Sequence, residues 1–478
     1  MQNKSRTSGR PSLAPRLIRR HFGVKDRELL IENVSLRALV EQYGTPLFVY
    51  SSRVANRKLT ALREALPPVF DVYYSMKANP SAAFLQCFVR RGCGLEVAST
   101  GEIHQALAAG CPASRIIYAG PGKTTESLEY ALRHNIGSIH VESLLEVKRI
   151  AAIRRQQGVR ARIALRVNPV AEAQGGAVRM GGLSAPFGID EEQLDAVLDF
   201  IADNEGTLDC HGVHQYSGTQ IHDYAVLALQ YRHAVEIAKR VAGRLQKPLE
   251  SIDFGGGLGV PYFEHEEELD LKKLSIELAS LVDEIRRIPL LAKARLLIEP
   301  GRFLAAEAGL YVSRVVDVKV SRGKTFVVVD GGMHQHLAAS GNLGQTIKRN
   351  FPLAVLNKLG DEPTQRAEVV GPLCTPLDTM GRSVELPHVE PGDLIGVFQS
   401  GAYGRTASPL GFLSHVSPAE VWVEDGAASL VRRHGEHDDF LRDQCLSPAR
   451  VPFTLDLDDG QPGKNRQLDV SGNLHDVP

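Results

Sequence analysis

Between residues 70 and 300 the chain alternates eight times between a short apolar run and a connecting segment, and nearly every run closes on a residue that can do chemistry. The runs are FDVYYSMK (Phe70 to Lys77), GLEVAS (Gly94 to Ser99), IIYAGP (Ile116 to Pro121), SIHVE (Ser138 to Glu142), RIALRVN (Arg162 to Asn168), GVHQYS (Gly212 to Ser217), SIDFGGG (Ser251 to Gly257) and LLIEP (Leu296 to Pro300). Segments such as Ser99 to Ala109, Thr124 to His134, Ser143 to Arg154 and Ala225 to Leu245 are long enough for one crossover helix each. Strand and helix alternating in this way predict an α/β fold, a (β/α)8 TIM barrel. Active sites of such barrels lie at the carboxyl ends of the strands, where the loops converge. Lys77, Glu96, Arg166, His214, Gly255, Gly256, Gly257 and Glu299 are therefore expected to face one another.

From Gly309 onward the pattern changes. LYVSRVVDVKVS, TFVVVDGG, AEVVGPL, DLIGVFQS and AEVWVED are β-runs bounded by turn signals, so an all-β domain of sandwich or barrel type is expected after the barrel. The apolar piece Glu28 to Val34 is expected to add a strand to it before the chain enters the barrel. The expected organisation is a disordered basic arm over residues 1–22, a barrel over 46–302, a β-domain built from 23–45 plus 303–432, and a flexible tail over 433–478. A formal charge of −1 leaves no footprint for nucleic acid or an anionic membrane surface. No apolar run approaches the ~20 residues that a bilayer span needs, and the first twenty residues lack the apolar centre of a secretory signal. Cys87, Cys93, Cys111, Cys210, Cys374 and Cys445 are scattered without metal-ligand spacing. A chain this long needs no disulfide staples, so no metal and a reducing cytoplasm are expected.

The strand-end residues form a chemical set. Lys77 follows Val, Tyr and Met, an apolar setting expected to lower its pKa and free its amine for Schiff-base chemistry, although a lysine at a strand end is also an ordinary solvated terminus. Gly255, Gly256 and Gly257 can bring backbone N–H groups onto an anion without Cβ obstruction, or can form a plain turn. Their spacing matches neither a Walker loop nor a dinucleotide fingerprint. Glu299, four residues into LLIEP, is a carboxylate that needs a cation, either a protonated pyridine nitrogen or Arg302 nearby; Arg302 in turn suits a phosphate. His214 can stack on a flat cofactor or be a core histidine, and Ser217 can donate to a phosphate. One lysine, one anion nest, one deep carboxylate and one stacking ring together describe a site for pyridoxal 5'-phosphate.

VYYSMKANP, GLEVASTGEI, HQYSGTQ, DFGGGLG, EPGRFL, VVVDGGM, GPLCTPLD and QSGAYG resemble, in order, the motifs of the fold-type III pyridoxal-phosphate decarboxylases, the ornithine and diaminopimelate decarboxylase family. The resemblance implies a Schiff base on Lys77, ring stacking by His214, and Glu299 on the pyridine nitrogen. It places Ser217, Gly255 to Gly257, Arg302 and Tyr403 on the phosphate, and Glu96 and Arg166 around the phenolic edge and ring. Cys374 matches a cysteine that reaches the site of a partner subunit and returns a proton, so a homodimer with shared sites is implied.

Two departures fall at the distal end of the substrate. After GPLC the basic-substrate enzymes carry Asp or Glu to hold an ammonium, where this chain has Thr375 and then Pro376; an unpaired buried charge there costs several kcal/mol. The arginine expected after the DAGM-like segment is replaced by HQHLAASGN (334–342). These features resemble the subgroup acting on amino acids held on acyl carrier proteins, butirosin-type and exosortase-associated, whose thioester-linked substrate has no distal charge. Asp330 and Asp378 remain candidate polar contacts, Asp330 alternatively capping its own turn. Free diaminopimelate or another free amino acid is the alternative substrate. A racemase of the same architecture usually faces its pyridine nitrogen with arginine, which Glu299 disfavours. A non-catalytic regulator of the antizyme-inhibitor kind can lose the cofactor contacts that are all present here.

Overall fold

In the computed structural model, which describes residues 13–170, 178–179, 184–216 and 218–445, one sheet closes on itself. Phe70–Ser75, Gly94–Val97, Ile116–Tyr118, Ser138–Val141, Ala161–Asn168, Leu208–His214, Ser251–Asp253 and Arg295–Ile298 pair in parallel in chain order, and Leu296 returns to pair with Phe70. Each predicted run thus contains a barrel strand; Glu96, Arg166 and His214 lie within their strands, whereas Lys77, Gly255 to Gly257 and Glu299 lie just beyond theirs. Among the described residues seven crossover helices cover the outside, from Ala82–Arg90 to Leu271–Arg286. Local sequence starts them at defined points. Ser99 accepts a hydrogen bond from Glu102 N at 3.1 Å while the Glu102 carboxylate reaches back to Ala98 N at 2.6 Å. Ser143 and Glu146 repeat the device two strands later. This reciprocal capping satisfies N–H groups that a helix start otherwise leaves open. Helix Tyr224–Leu245 buries Leu227, Tyr231, Val235, Ala238 and Ala242, spaced at three to four residues, against the barrel; each large apolar side chain so covered contributes roughly 1.5–3 kcal/mol.

The second domain is a branched sheet. Gly309–Ser321 runs through its centre; its first half pairs with Leu47–Ser51 and Leu394–Phe398, and its second half with Lys324–Val329. Gln365–Val370 and Thr379–Leu386 extend one side, while Ala419–Glu424 and Ala427–Arg432 extend the other.

Three expectations are corrected here. The early strand that enters this sheet is Leu47–Ser51, not Glu28 to Val34: Val49 pairs with Leu310 on one side and Val421 on the other, and all five residues are buried. The barrel domain accordingly begins after residue 51 rather than at 46. Glu28–Ile31 instead forms a small antiparallel sheet with Gly23–Lys25 and Val34–Ser35. Third, Leu13–His21 is a helix rather than part of a disordered arm. Its Leu13, Ala14, Leu17 and Ile18 are buried on one face, so its basic composition belongs to the other. Residues 1–12 lie outside the described residues. Of the expected tail, 446–478 lies outside them too, and Asp438 onward forms a separate small unit. Among the described residues no helix is long and apolar enough to cross a membrane, and all six cysteines are free.

Candidate active site

Lys77 sits in the single helical turn Met76–Ala78 that ends the first barrel strand, which turns its side chain across the mouth. Its Nζ lies 3.5 Å from Glu96 Oε2, and 48% of the side chain is open to the cavity. The expected fall in its pKa is overturned. Burial opposes the charge, but Glu96, then Tyr403, Tyr216 and Glu299, outweigh it and hold the ammonium above its ordinary range. Glu96 itself accepts from the Ser75 hydroxyl.

His214 ends the sixth strand and is fully enclosed. Burial, and then Arg166, push its pKa down to about 3, so the ring is neutral. Its Nε2 is 3.3 Å from Glu299 Oε2, and the His140 ring, also held neutral by burial, lies 4.7 Å away. Glu299 is 6% exposed. Among the described residues the basic side chain beside it is this neutral imidazole, not Arg302, so no ion pair neutralises it. Arg302 opens the short helix Arg302–Ala305 and stacks on Tyr403 and Tyr262, 4.4 and 5.5 Å from their ring centroids; no carboxylate pairs with it among the described residues.

The three glycines follow the seventh strand. A Cβ on Gly256 would come within 2.4 Å of the Glu299 carbonyl oxygen, and Gly257 has φ +95° with the Gly218 carbonyl 2.5 Å from its ideal Cβ position. No other residue fits either place. Tyr403 comes from the β-domain: its N–H donates to Ala78 O at 2.8 Å, and Asn79 Nδ2 donates to Gly401 O at 2.9 Å, fastening the QSGAYG loop to the turn that carries Lys77.

Lys77, Tyr216, Gly256, Gly257, Glu299, Arg302 and Tyr403 line one recess. It shares Lys77, Tyr216, Arg302 and Tyr403 with a larger cavity of about 570 Å³. That cavity reaches Glu96 and Arg166 on one side and Ala338, Leu343, Gly344, Gln345 and Phe351 on another. Arg166 is held by Glu142, Nη1 to Oε1 2.8 Å, and lies over Phe187.

Among the described residues the buried Glu299 Oε1, both ring nitrogens of His214 and Arg302 Nε have no hydrogen-bond partner. A carboxylate without a cation, a guanidinium without an anion and a glycine turn between them fit pyridoxal phosphate, with Glu299 toward the ring nitrogen and Arg302 toward the phosphate. The pyridoxal-binding-domain profile of the pyridoxal-dependent decarboxylases matches residues 53–306, more than half of the chain. The chain belongs to that family. Its cofactor is pyridoxal phosphate, and its reaction is decarboxylation of an amino acid. It is 36% identical over 428 residues to the L-glutamyl-[BtrI acyl-carrier protein] decarboxylase of Niallia circulans, covering 88% of this chain and 99% of that one. It is 32% identical over 432 residues to the diaminopimelate decarboxylase of Zymomonas mobilis, covering 88% and 98%. The crystal structure of diaminopimelate decarboxylase from Helicobacter pylori complexed with L-lysine superposes with a TM-score of 0.76 at 29% identity, covering 85% of this chain and 98% of that one. The barrel followed by a β-domain is the fold they share.

Other predicted residues lie elsewhere. Asp330 accepts from Thr45 Oγ1 at 2.5 Å and Arg314 N at 2.8 Å. Asp378, buried, accepts from Met333 N and Leu373 N at 2.6 and 2.9 Å beneath Gly332 and Gly371. Both are spent on holding loops together and neither lines the cavity, which corrects their assignment as substrate contacts. Cys374 is exposed and Thr375 half-buried, and both stand outside the cavity of their own chain. Ser217 lies outside the described residues. Sequence reasoning gave no role to Glu142, His140 or Asp253. Glu142 closes the run SIHVE, and its place at a strand end was the available signal. His140 and Asp253 lie inside runs, where strand alternation points them into the barrel.

Proposed function

We propose that the protein removes the α-carboxylate of an aminoacyl group tethered by thioester to an acyl carrier protein, as a cytoplasmic homodimer in which each site receives the partner's Cys374. One observation carries the reading: the cavity wall formed by Ala338, Leu343, Gly344, Gln345 and Phe351 carries no charge. Of the charged lining residues, Lys77 faces Glu96, Arg166 is taken by Glu142, and Glu266 Oε2 accepts from Tyr262 N and Phe263 N at 2.7 and 3.2 Å. Arg302 is stacked between tyrosines at the phosphate end. A free diamino acid would bury its distal ammonium without a partner there, whereas a thioester-linked acyl chain brings no such charge. Thr375 in place of an acid supports the same choice. So does the name of the Niallia circulans relative, and it makes the L-glutamyl thioester the first substrate to try. The exposure of Cys374 supports service across a dimer interface, with Leu377 exposed beside it.

The chain's own residues supply orientation and charge. When bound, the cofactor provides the electron sink for the pair left behind as CO2 departs. Glu299 would hold the proton at the ring nitrogen, and the neutral His214 ring would lie beside the cofactor without competing for that proton. Arg302 and the N–H groups of the glycine turn anchor the phosphate. Lys77 Nζ, kept charged by Glu96, carries a proton at the mouth, and the partner's Cys374 delivers one to the α-carbon. Mass spectrometry of a glutamyl-loaded carrier protein incubated with enzyme tests the reading. The expected product is an amine still bound to the carrier; an unchanged carrier alongside rapid consumption of free diaminopimelate contradicts it.

A further inference from the structure

Asp253 is the last residue of the seventh barrel strand and is 1% exposed. It and Glu299 are tied to the same glycine: Gly255 N donates to Asp253 Oδ1 at 2.8 Å, and Glu299 N donates to Gly255 O at 2.8 Å. The two carboxyl groups come within hydrogen-bonding reach of each other. Asp253 Oδ2 and Glu299 Oε1 are both buried, and neither has a donor among the described residues. The groups facing the pair supply no free cation: His214 and His140 are neutral, Tyr231 is a phenol, Glu96 is an acid, and Lys77 faces Glu96. Two adjacent buried carboxylates with no cation between them cannot both stay ionised.

We infer that Asp253 and Glu299 share one proton between Oδ2 and Oε1, making Asp253 the positioning residue that presents Glu299 Oε2 to the cofactor nitrogen. Asp253 is the group that keeps the proton, because burial, and then the neighbouring Glu299 charge, drive its pKa well above the usual carboxylate range. The O–H donates to Glu299 Oε1, fixes that carboxylate's rotation, and leaves the pair with a single negative charge to match a single pyridinium. An ionised Asp253 would instead give a double charge that draws a second proton into the site. The arrangement concerns the cofactor alone and holds whichever amino acid is the substrate.

Infrared spectroscopy of the cofactor-free protein at neutral pH tests this directly. Wild type is expected to show the carbonyl stretch of a protonated carboxylic acid, and Asp253→Asn to lose it. In Asp253→Asn the amide oxygen still accepts from Gly255 N and the NH2 group replaces the O–H donor, so pyridoxal phosphate affinity should stay within about threefold of wild type. Asp253→Leu removes the donor and should weaken binding at least about tenfold. No protonated-acid band in wild type overturns the inference. So does an Asp253→Asn protein that melts like wild type yet binds the cofactor as poorly as a variant lacking the donor, because a neutral donor would then be insufficient.

Discussion

Replacing Gly256 with alanine probes the cofactor seat where the structure leaves least freedom. The new Cβ would stand 2.4 Å from the Glu299 carbonyl oxygen and 3.3 Å from its carbonyl carbon. Both are backbone atoms of a loop whose own N–H is already bonded to Gly255 O, so no side-chain rotation relieves the overlap. Either the glycine turn or the Glu299 loop must move, and one carries the phosphate-binding N–H groups while the other carries the carboxylate for the ring. Overpacking of this kind costs about 1–3 kcal/mol. Expressed in cofactor affinity, that is about 5- to 160-fold. Gly122→Ala is the control, since nothing lies within 4 Å of its added Cβ. Titration of cofactor-free protein with pyridoxal phosphate, followed by fluorescence and paired with thermal melts, measures both effects. Wild-type affinity in a folded Gly256→Ala protein would refute the placement of the phosphate on this turn.

Other perturbations address separate parts of the account. Burial raises the pKa of Glu307, but Lys58 and His21 overcome it and bring the group down to about 2; its stabilisation is complete above the unfolded value of about 4.5 and is lost as pH falls through that window, amounting to roughly 3 kcal/mol. Urea unfolding of Glu307→Gln across pH 5 to 2 should show a flatter acid limb than wild type, and an unchanged limb would count against the buried cluster. Leu17→Ala, in the N-terminal helix, should cost about 2–4 kcal/mol in the same assay, whereas a disordered arm would show no effect. Thr375→Glu should raise kcat/KM for free diaminopimelate by about tenfold, the worth of one close charge pair, measured by CO2 release; no gain would mean that residue 375 does not meet the substrate's distal end.

The barrel was legible because its eight strands carry their chemistry at one end, a pattern that composition cannot produce by chance packing. Leu47–Ser51 was misassigned for a physical reason: LFVYS is buried on both faces, and such a run reads alike in either domain. The helix Leu13–His21 was hidden by its arginines, although Leu13, Ala14, Leu17 and Ile18 already held helical spacing. Within the site, residue types announced Lys77, Glu299 and the glycines, but not the sign of the Lys77 shift, which depends on carboxylates contributed by other strands. Asp330 and Asp378 looked available because nothing in a sequence tells which backbone N–H groups a carboxylate will satisfy.

The most direct test of the central claim is kcat/KM for CO2 release from L-glutamyl carrier protein beside free L-glutamate and free diaminopimelate, using protein saturated with pyridoxal phosphate. Turnover of the carrier-linked substrate is expected in large excess over both free amino acids. Efficient turnover of free diaminopimelate, with none of the carrier-linked substrate, would contradict the claim.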